Sequence, residues 1–283
     1  MATVCLAAAA GFFPRDLTAC RARVATMITH AREEEADLLV LPHAALGGYL
    51  TSLRAIEADT LPPALPADSP VLTEIAALAG AMVVCLGYTE TDGAAIYDAA
   101  VALSGDGVLG RHRKVHLPPG EARFYRAGTE LAAFDTPLGR VGMLIDYDKT
   151  FPEAARSLAA DGAGVLAFLS AWPASVTRRA SSIVHDRQTR LFDLYDAVRA
   201  AENQVVVVSA NQTGNLGELR FIGHSKIVNP AGEIVARGGV KAGLVVARLD
   251  LAAEVARARR VQFHLRERRP DVYRDGPRHR DQQ

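Results

Sequence analysis

Short runs rich in valine, isoleucine and leucine alternate along this chain with longer segments of helical pattern. That alternation is typical of a layered α/β domain, because strands buried on both faces read as short continuous apolar runs. The predicted strands are 3–9, 38–41, 82–88, 96–103, 141–146, 165–169, 205–210, 222–228, 234–236 and 244–249. The predicted helices are 16–32, 69–79, 152–161 and 180–201, with Asp16 and Ser69 as N-caps.

The rhythm of strands and helices is unbroken over most of the 283 residues, which favours one domain over residues 1–250. The composition of the chain changes in 251–283, where we predict a C-terminal helix followed by an arginine-rich arm. Nine arginines lie between Arg257 and Arg280, without the aromatic interleaving that is typical of surfaces that stack bases. We therefore interpret the arm as part of the same domain or as a dimer contact, not as a nucleic-acid site.

The formal net charge of the chain is +0, so no global field favours nucleic acid or an anionic membrane. A small neutral or zwitterionic ligand is the better expectation. The first residues lack the basic region of a signal peptide, and no apolar run reaches the ~18 residues of a spanning helix, so we predict a cytoplasmic protein. Cys5, Cys20 and Cys85 have neither metal nor disulfide spacing, and Cys5 and Cys85 fit buried positions in strands.

One segment combines a strand, a sharp turn and a helix start. In Arg140–Glu153, RVGMLIDYDKTFPE, the apolar run ends at Asp146 and Pro152 is placed to open a helix. Residue 146 is therefore predicted at the carboxyl end of a strand, where α/β folds place reactive groups. Other distinctive segments are 37–49 (DLLVLPHAALGGY), 111–117 (RHRKVHL), 121–128, 201–204, 223–225, 229–232 and 268–273.

These ordered segments resemble the nitrilase superfamily, the carbon–nitrogen hydrolases, whose nucleophile pattern is roughly G-x-x-I-C-Y-D-x-x-F-P-E. The resemblance implies a four-layer α-β-β-α sandwich that pairs through its outer helices, hence a homodimer or higher homo-oligomer. It also places Lys114 at the catalytic lysine and Glu121 at the auxiliary glutamate. The chain departs from the pattern twice, since Asp146 stands where the cysteine is expected and His43 where the general-base glutamate is expected.

These two departures change the chemistry that the resemblance implies. A carboxylate is a weak nucleophile toward amides, and its attack would give a mixed anhydride, which is higher in energy than a thioester. We expect Asp146 instead to orient His43 as a base, while Glu121 and Asp146 keep Lys114 protonated. A metal bound by His43, Glu121 and Asp146 is disfavoured because the ammonium of Lys114 would repel it, and no cofactor is expected.

Two functions follow from this altered set of residues. The first is noncovalent acid–base catalysis, by hydrolysis, cyclisation, dehydration or elimination, on a small nitrogen-containing or carbonyl substrate. The second is a catalytically inactive protein that binds a metabolite or protein partner, with Lys114 and Asp146 as a plain buried ion pair. The predicted substrate-binding residues are Tyr49, Tyr147, Trp172 and His185. Asp148 is predicted to accept backbone hydrogen bonds in the turn, and His112, His116 and His224 to pack or hydrogen-bond.

Overall fold

The computed structural model describes residues 3–260 and 262–273. The strands are β1 Val4–Gly11, β2 Leu38–Val40, β3 Ala64–Pro66, β4 Val83–Thr91, β5 Ile96–Ser104, β6 Gly107–Arg113, β7 Phe134–Thr136, β8 Gly139–Ile145, β9 Val165–Ser170, β10 Val206–Gln212, β11 Asn215–Leu216, β12 Leu219–Arg220, β13 Lys226–Val228, β14 Ile234–Arg237 and β15 Gly243–Leu249. The helices are α1 Leu17–Glu33, α2 Pro70–Ala79, α3 Pro152–Ala160, α4 Arg187–Asn203 and α5 Leu251–Ala258.

The strands form a mixed sheet whose main path runs β6-β5-β4-β2-β1-β10-β9-β8-β7. β1 pairs with β2 along one edge and with β15 along the other, and it meets β10 only at Ala10 and Gly11. β10 in turn pairs with β9 and β13. Since β1 and β10 touch at one end alone, the two halves of the path separate along the rest of their length and face each other.

The alternating side chains of β1 reveal four layers. Leu6 and Ala8 lie in an apolar core that also holds Met143 of β8 and Val206 of β10, so this core fills the space between the two halves of the sheet. The intervening residues of β1 pack with α1 and α2 on the opposite face. On the far side, β8, β9 and β10 pack with α3 and α4 around Phe168. The predicted α-β-β-α sandwich is confirmed.

The helix starts follow local chemistry. Asp16 caps α1 by accepting the backbone N–H of Ala19, as predicted. Ser69 precedes α2 but makes no side-chain cap bond, and the helix begins instead on Pro70 at its first turn.

Three element predictions need correction. Helix α4 begins at Arg187 rather than at 180, because the Asp186 carboxylate accepts the N–H groups of Ser175, Ala180 and Gln188 and so holds the preceding residues as a loop. The predicted strand 222–228 is reduced to β13. Strand β6 was not predicted, because its two glycines and its polar residues Arg111, His112 and Arg113 leave no continuous apolar run, yet it pairs with β5 in an antiparallel ladder.

The C-terminal part contains the predicted helix, α5, directly after β15. The division into 1–250 and 251–283 stays a prediction, and residues 261 and 274–283 of the arginine-rich arm lie outside the described residues. No described helix combines the length and the apolar character that crossing a bilayer requires.

Candidate active site

Asp146 lies at the tip of a sharp turn after β8. A 3₁₀ turn covers Asp146–Thr150, and α3 begins at Pro152, as predicted. Asp146 has a φ of 42°, in the left-handed region that aspartate enters more readily than most residues. Its Oδ1 accepts the backbone N–H of Ala171 at 2.8 Å, whereas Oδ2 has no hydrogen-bond partner among the described residues. The turn therefore presents a buried carboxylate with one oxygen free for another donor.

Asp148 ties this turn to the segment that carries Lys114. Its Oδ1 accepts the backbone N–H of His116 at 2.8 Å, and its Oδ2 accepts the N–H of Ile145 at 3.2 Å and lies 2.9 Å from His112 Nε2. Burial opposes ionisation, but the two histidines hold the pKa of Asp148 well below its usual range. The predicted roles of Asp148, His112 and His116 as hydrogen-bonding residues are confirmed.

Lys114 follows β6 and is almost completely buried among carboxylates. Its Nζ lies 2.5 Å from Glu121 Oε2 and 3.4 Å from Asp98 Oδ2. The hydroxyl of Tyr49 donates to the other oxygen of Glu121. Burial alone would lower the pKa of Lys114, but its carboxylate neighbours, Glu121 foremost, raise it above the usual value. The ammonium is therefore held in its charged form.

His43 lies closest to Asp98, not to Asp146 as the sequence led us to expect. Its Nε2 is 3.4 Å from Asp98 Oδ1, an ion-pair distance without hydrogen-bond geometry. The ring stands edge-on to Tyr49, with 5.5 Å between centroids. Gly87 makes room for it, because a Cβ there would lie 2.7 Å from Nδ1. The expected pair of His43 and Asp146 is replaced by a pair with an acid on β5 that the sequence analysis did not select.

The three carboxyl groups of the site differ in their protonation. Burial raises the pKa of Asp146 from its ordinary value, although Lys114 and His43 partly oppose this. Burial also raises the pKa of Glu121, to about 7. Asp98 is equally buried, but the charges of Lys114 and His43 hold its pKa below the ordinary value. Asp98 is therefore the ionised partner of Lys114, and Glu121 can gain or lose a proton near neutral pH.

A cavity of about 240 Å³ opens onto part of this group. Lys114, Glu121, Asp146 and Tyr49 line it, so the structure brings four predicted site residues together. His43 is buried and is not among the lining residues. The other lining residues are Leu53, Pro118, Tyr147, Ala171, Trp172, Pro173, Ala174, Ser175, Val176 and Gln188.

Three of the four predicted substrate-binding residues line the cavity: Tyr49, Tyr147 and Trp172. His185 does not, because it is exposed in the loop before α4. Gln188 lies there instead and accepts the indole N–H of Trp172 at 3.1 Å.

The described residues contain no group of three or more histidine, cysteine, aspartate or glutamate side chains arranged to hold a metal ion. Cys5, Cys20 and Cys85 are buried free thiols away from the cavity. Burial raises the pKa of Cys85 to about 12, so its thiol stays protonated. The described lining residues of the cavity therefore include acids and an ammonium but no thiol.

Comparison with known proteins agrees with the fold and with the sequence resemblance. A probable nitrilase of Schizosaccharomyces pombe is 31% identical over 180 residues, which are 63% of this chain and 62% of that protein, so this match spans less than two thirds of the relative. An omega-amidase of Danio rerio is 29% identical over 262 residues, 89% of each chain. The crystal structure of a carbon–nitrogen hydrolase from Helicobacter pylori superposes with a TM-score of 0.82 at 22% identity, over 96% of this chain and 97% of that one.

The family model described as carbon–nitrogen hydrolase matches residues 4–259, which is nearly the whole of the described chain. The match includes both sheet halves and every residue of the candidate site. This chain belongs to the carbon–nitrogen hydrolase family, the nitrilase superfamily.

Proposed function

We propose that this protein hydrolyses a carbon–nitrogen bond in a small nitrogen-containing or carbonyl substrate, with water instead of a side chain as the nucleophile. Among the four reaction classes left open by the sequence, hydrolysis is favoured by the names of relatives such as the omega-amidase. The observation that carries the proposal is Asp146, which lines the cavity close to a charged lysine and has a buried oxygen with no hydrogen-bond partner in the part of the chain that the structure describes.

In the proposed reaction, Asp146 acts as the general base. Its raised pKa makes the carboxylate a better proton acceptor than an ordinary aspartate. Asp146 takes a proton from water as the water oxygen bonds to the substrate carbon. Lys114 stabilises the negative oxygen that develops. Protonated Glu121, whose pKa is about 7, gives its proton to the leaving nitrogen as the carbon–nitrogen bond breaks, and the proton on Asp146 then returns to solvent or to Glu121.

His43 has a different role here from the one that the sequence suggested. It does not line the cavity, so we propose it as a positioning residue that acts through Asp98. Asp98 in turn lies 3.4 Å from Lys114 Nζ. Removing the imidazole would shift the charge balance around Asp98 and so the position and protonation of the Lys114–Glu121 pair.

A mechanism in which water is the nucleophile can reach a useful reaction rate without a thiol. Proton transfer by a correctly positioned side chain raises the reaction rate roughly 10²–10⁴-fold, and one hydrogen-bond donor to the oxyanion raises it about 10²–10³-fold. Covalent attack by Asp146 would instead have to pass through a mixed anhydride.

The test measures ammonia release from a panel of small amides, ureas and nitriles by the purified protein. We expect Asp146→Asn to lower turnover by at least tenfold, with Asp106→Asn, in the exposed β5–β6 hairpin, as the matched control. Alkylating the thiols should leave turnover unchanged. Full activity in Asp146→Asn, or trapping of an acyl group on Asp146 by hydroxylamine, would contradict the water mechanism.

The inactive binding protein is the second candidate, and two contacts of Lys114 favour it. The ammonium of Lys114 already has two carboxylate partners, which leaves it fewer donors for an oxyanion. A ligand that raises the melting temperature but is never chemically changed would support this candidate. Gain of amidase activity on combining Asp146→Cys with His43→Glu would show that the rest of the site is intact.

We also propose that two copies of the chain pair through α4. Leu194 and Val198 are one helical turn apart on its outer face and are 54% and 38% exposed. These positions are on the outer helix layer, through which the family resemblance implies pairing.

A further inference from the structure

The site around Lys114 contains more acid than base. Three buried carboxyl groups, those of Asp98, Glu121 and Asp146, share one ammonium and the imidazole of His43. With all of them ionised and the imidazole protonated, one negative charge remains. Lys149 also acts on Asp146, but it belongs to a separate cluster in which Lys149 and Lys226 are balanced by Asp196 and Asp193. Among the lining residues that the structure describes, Lys114 is the only cation.

A surplus negative charge is costly in a buried site unless something neutralises it. A proton can do so, which agrees with the raised pKa values of Glu121 and Asp146. A ligand with a positive charge would neutralise it as well. Such a ligand would also supply the donor that Asp146 Oδ2 lacks among the described residues.

The rest of the cavity suits the apolar part of such a ligand. Leu53, Pro118 and Val176 contribute aliphatic surface, and Trp172 and Tyr147 contribute aromatic rings, which attract cations through their faces. At about 240 Å³ the cavity is smaller than the ~300–1,000 Å³ typical of sites for drug-sized ligands.

We propose that the ligand of this cavity is a small organic cation, an ammonium or amidinium group on a short apolar body, whose N–H groups donate to Asp146. The inference rests on the proposed function for the location of the site and adds the class of substrate. It is compatible with general-base catalysis because a carboxylate has about four lone-pair sites. One accepts the N–H of Ala171, and the others can accept both a ligand N–H and a water.

Three probes of equal chain length test which ligand charge the cavity prefers. They are pentanamidine, a cation; pentanamide, which is neutral; and pentanoate, an anion. Titration calorimetry should give an affinity for pentanamidine at least tenfold tighter than for pentanamide, with pentanoate weakest. Equal affinities for the amidine and the amide would overturn the inference.

The pH dependence is a second readout. Protons and a cation compete for the same carboxylates, so amidine affinity should rise from pH 5.5 to 8, while amide affinity should rise less. Loss of the proton from Lys149, whose pKa is lowered to about 8, would act in the same direction, since it removes a positive charge that acts on Asp146. The titratable groups that line the cavity are Tyr49, Lys114, Glu121, Asp146 and Tyr147, and those that act on them from behind are His43, Asp98 and Lys149. A flat or falling amidine affinity would contradict the inference.

The variant test uses Asp146→Asn, which keeps an oxygen for the N–H of Ala171 and places an N–H₂ group before the ligand. Amidine affinity should fall at least tenfold and amide affinity should change little, whereas Asp106→Asn should alter neither. Unchanged amidine binding in Asp146→Asn would refute the proposal. These binding assays need no turnover. Hydrolysis of amides by a protein that does not bind the amidine more tightly than the amide would contradict only this inference. Tight binding of the amidine by a protein that hydrolyses no substrate would contradict only the proposed function.

Discussion

Replacing Lys114 by methionine should remove the one ammonium from a group of buried acids while keeping much of the side-chain volume. Lys114 is 1% exposed, and it contacts Glu121 at 2.5 Å and Asp98 at 3.4 Å. Without it, both carboxylates and Asp146 stay buried with no ammonium among them. Removing one partner of a buried ion pair typically costs about 3–5 kcal/mol, because the remaining charge is uncompensated. Against a total stability of about 5–15 kcal/mol, that is a large loss.

The loss should depend on pH with a definite sign. Without Lys114 the folded-state pKa of Glu121 rises further above its unfolded value, and the pKa of Asp98 loses the charge that holds it below its ordinary value. The folded variant then binds more protons than the unfolded chain, so its stability falls as the pH increases through the raised pKa values. Since one pKa unit corresponds to about 1.4 kcal/mol, the deficit relative to the wild type should be at least about 1 kcal/mol smaller at pH 5.5 than at pH 8.

Equilibrium unfolding in urea at both pH values measures this deficit. Lys241→Met is the matched control, since Lys241 is exposed, and it should cost less than about 0.5 kcal/mol. Adding Glu121→Gln to Lys114→Met should recover part of the stability, because one of the uncompensated acids is then gone. A deficit for Lys114→Met that is the same at both pH values, or that is under about 1 kcal/mol at pH 8, would refute the charge argument.

Burial lowers the pKa of Lys149 from 10.5 to about 8, so the free energy of unfolding should rise by roughly 3 kcal/mol as the pH increases between these values. Urea unfolding of Lys149→Met should show a smaller rise over the same pH range. Gly87→Ala places a methyl group against His43 and should lower turnover at least tenfold while circular dichroism shows the fold retained. Asp16→Ala removes the cap of α1 and should cost about 1 kcal/mol in thermal unfolding. If copies pair through α4, Leu194→Asp should convert a dimer to a monomer in light scattering; a dimer in both proteins would contradict that surface.

Most of the fold was predictable because burial on both faces leaves a clear trace in the sequence. Strands β1, β4, β8 and β10 are short continuous apolar runs, and each was predicted within a few residues. The turn after β8 was predictable as well, since polar residues end the apolar run and Pro152 can only open the next helix. Strand β6 escaped detection because its pattern of polar residues resembles a loop, and only its ladder with β5 makes it a strand.

The boundary before α4 was less accessible for a different reason. Residues 180–186, ASSIVHD, contain only one strong helix former, Ala180, and three backbone N–H groups converge on the Asp186 carboxylate. One of these donors, Ser175, comes from the preceding loop, so the competing hydrogen bonds exist only in the folded chain. Helix propensity is a weak preference that tertiary contacts override.

Asp98 left a signal in the sequence that was not used. It is a charged residue inside the apolar run of β5, and a buried acid there requires a compensating partner. The rule predicts that Asp98 has a basic neighbour but not which one. Lys114 follows β6, the antiparallel neighbour of β5, and its backbone N–H donates to Asp98 O at 2.8 Å. A hairpin prediction for β5 and β6 would therefore have brought these two residues together.

The partner of His43 depends on a longer chain of contacts. His43 and Asp146 both follow strands, β2 and β8, but those strands belong to opposite halves of the sheet. Asp98 lies on β5, in the same half as β2, and one strand separates them. Positions at the carboxyl ends of strands place residues at a common edge of the sheet, but they do not predict which of these residues are in contact. Because His43 pairs with Asp98, it does not occupy Asp146 Oδ2, which has no hydrogen-bond partner among the described residues. The acid at the position of the expected cysteine is therefore the group to which we propose that a ligand donates its hydrogen bond.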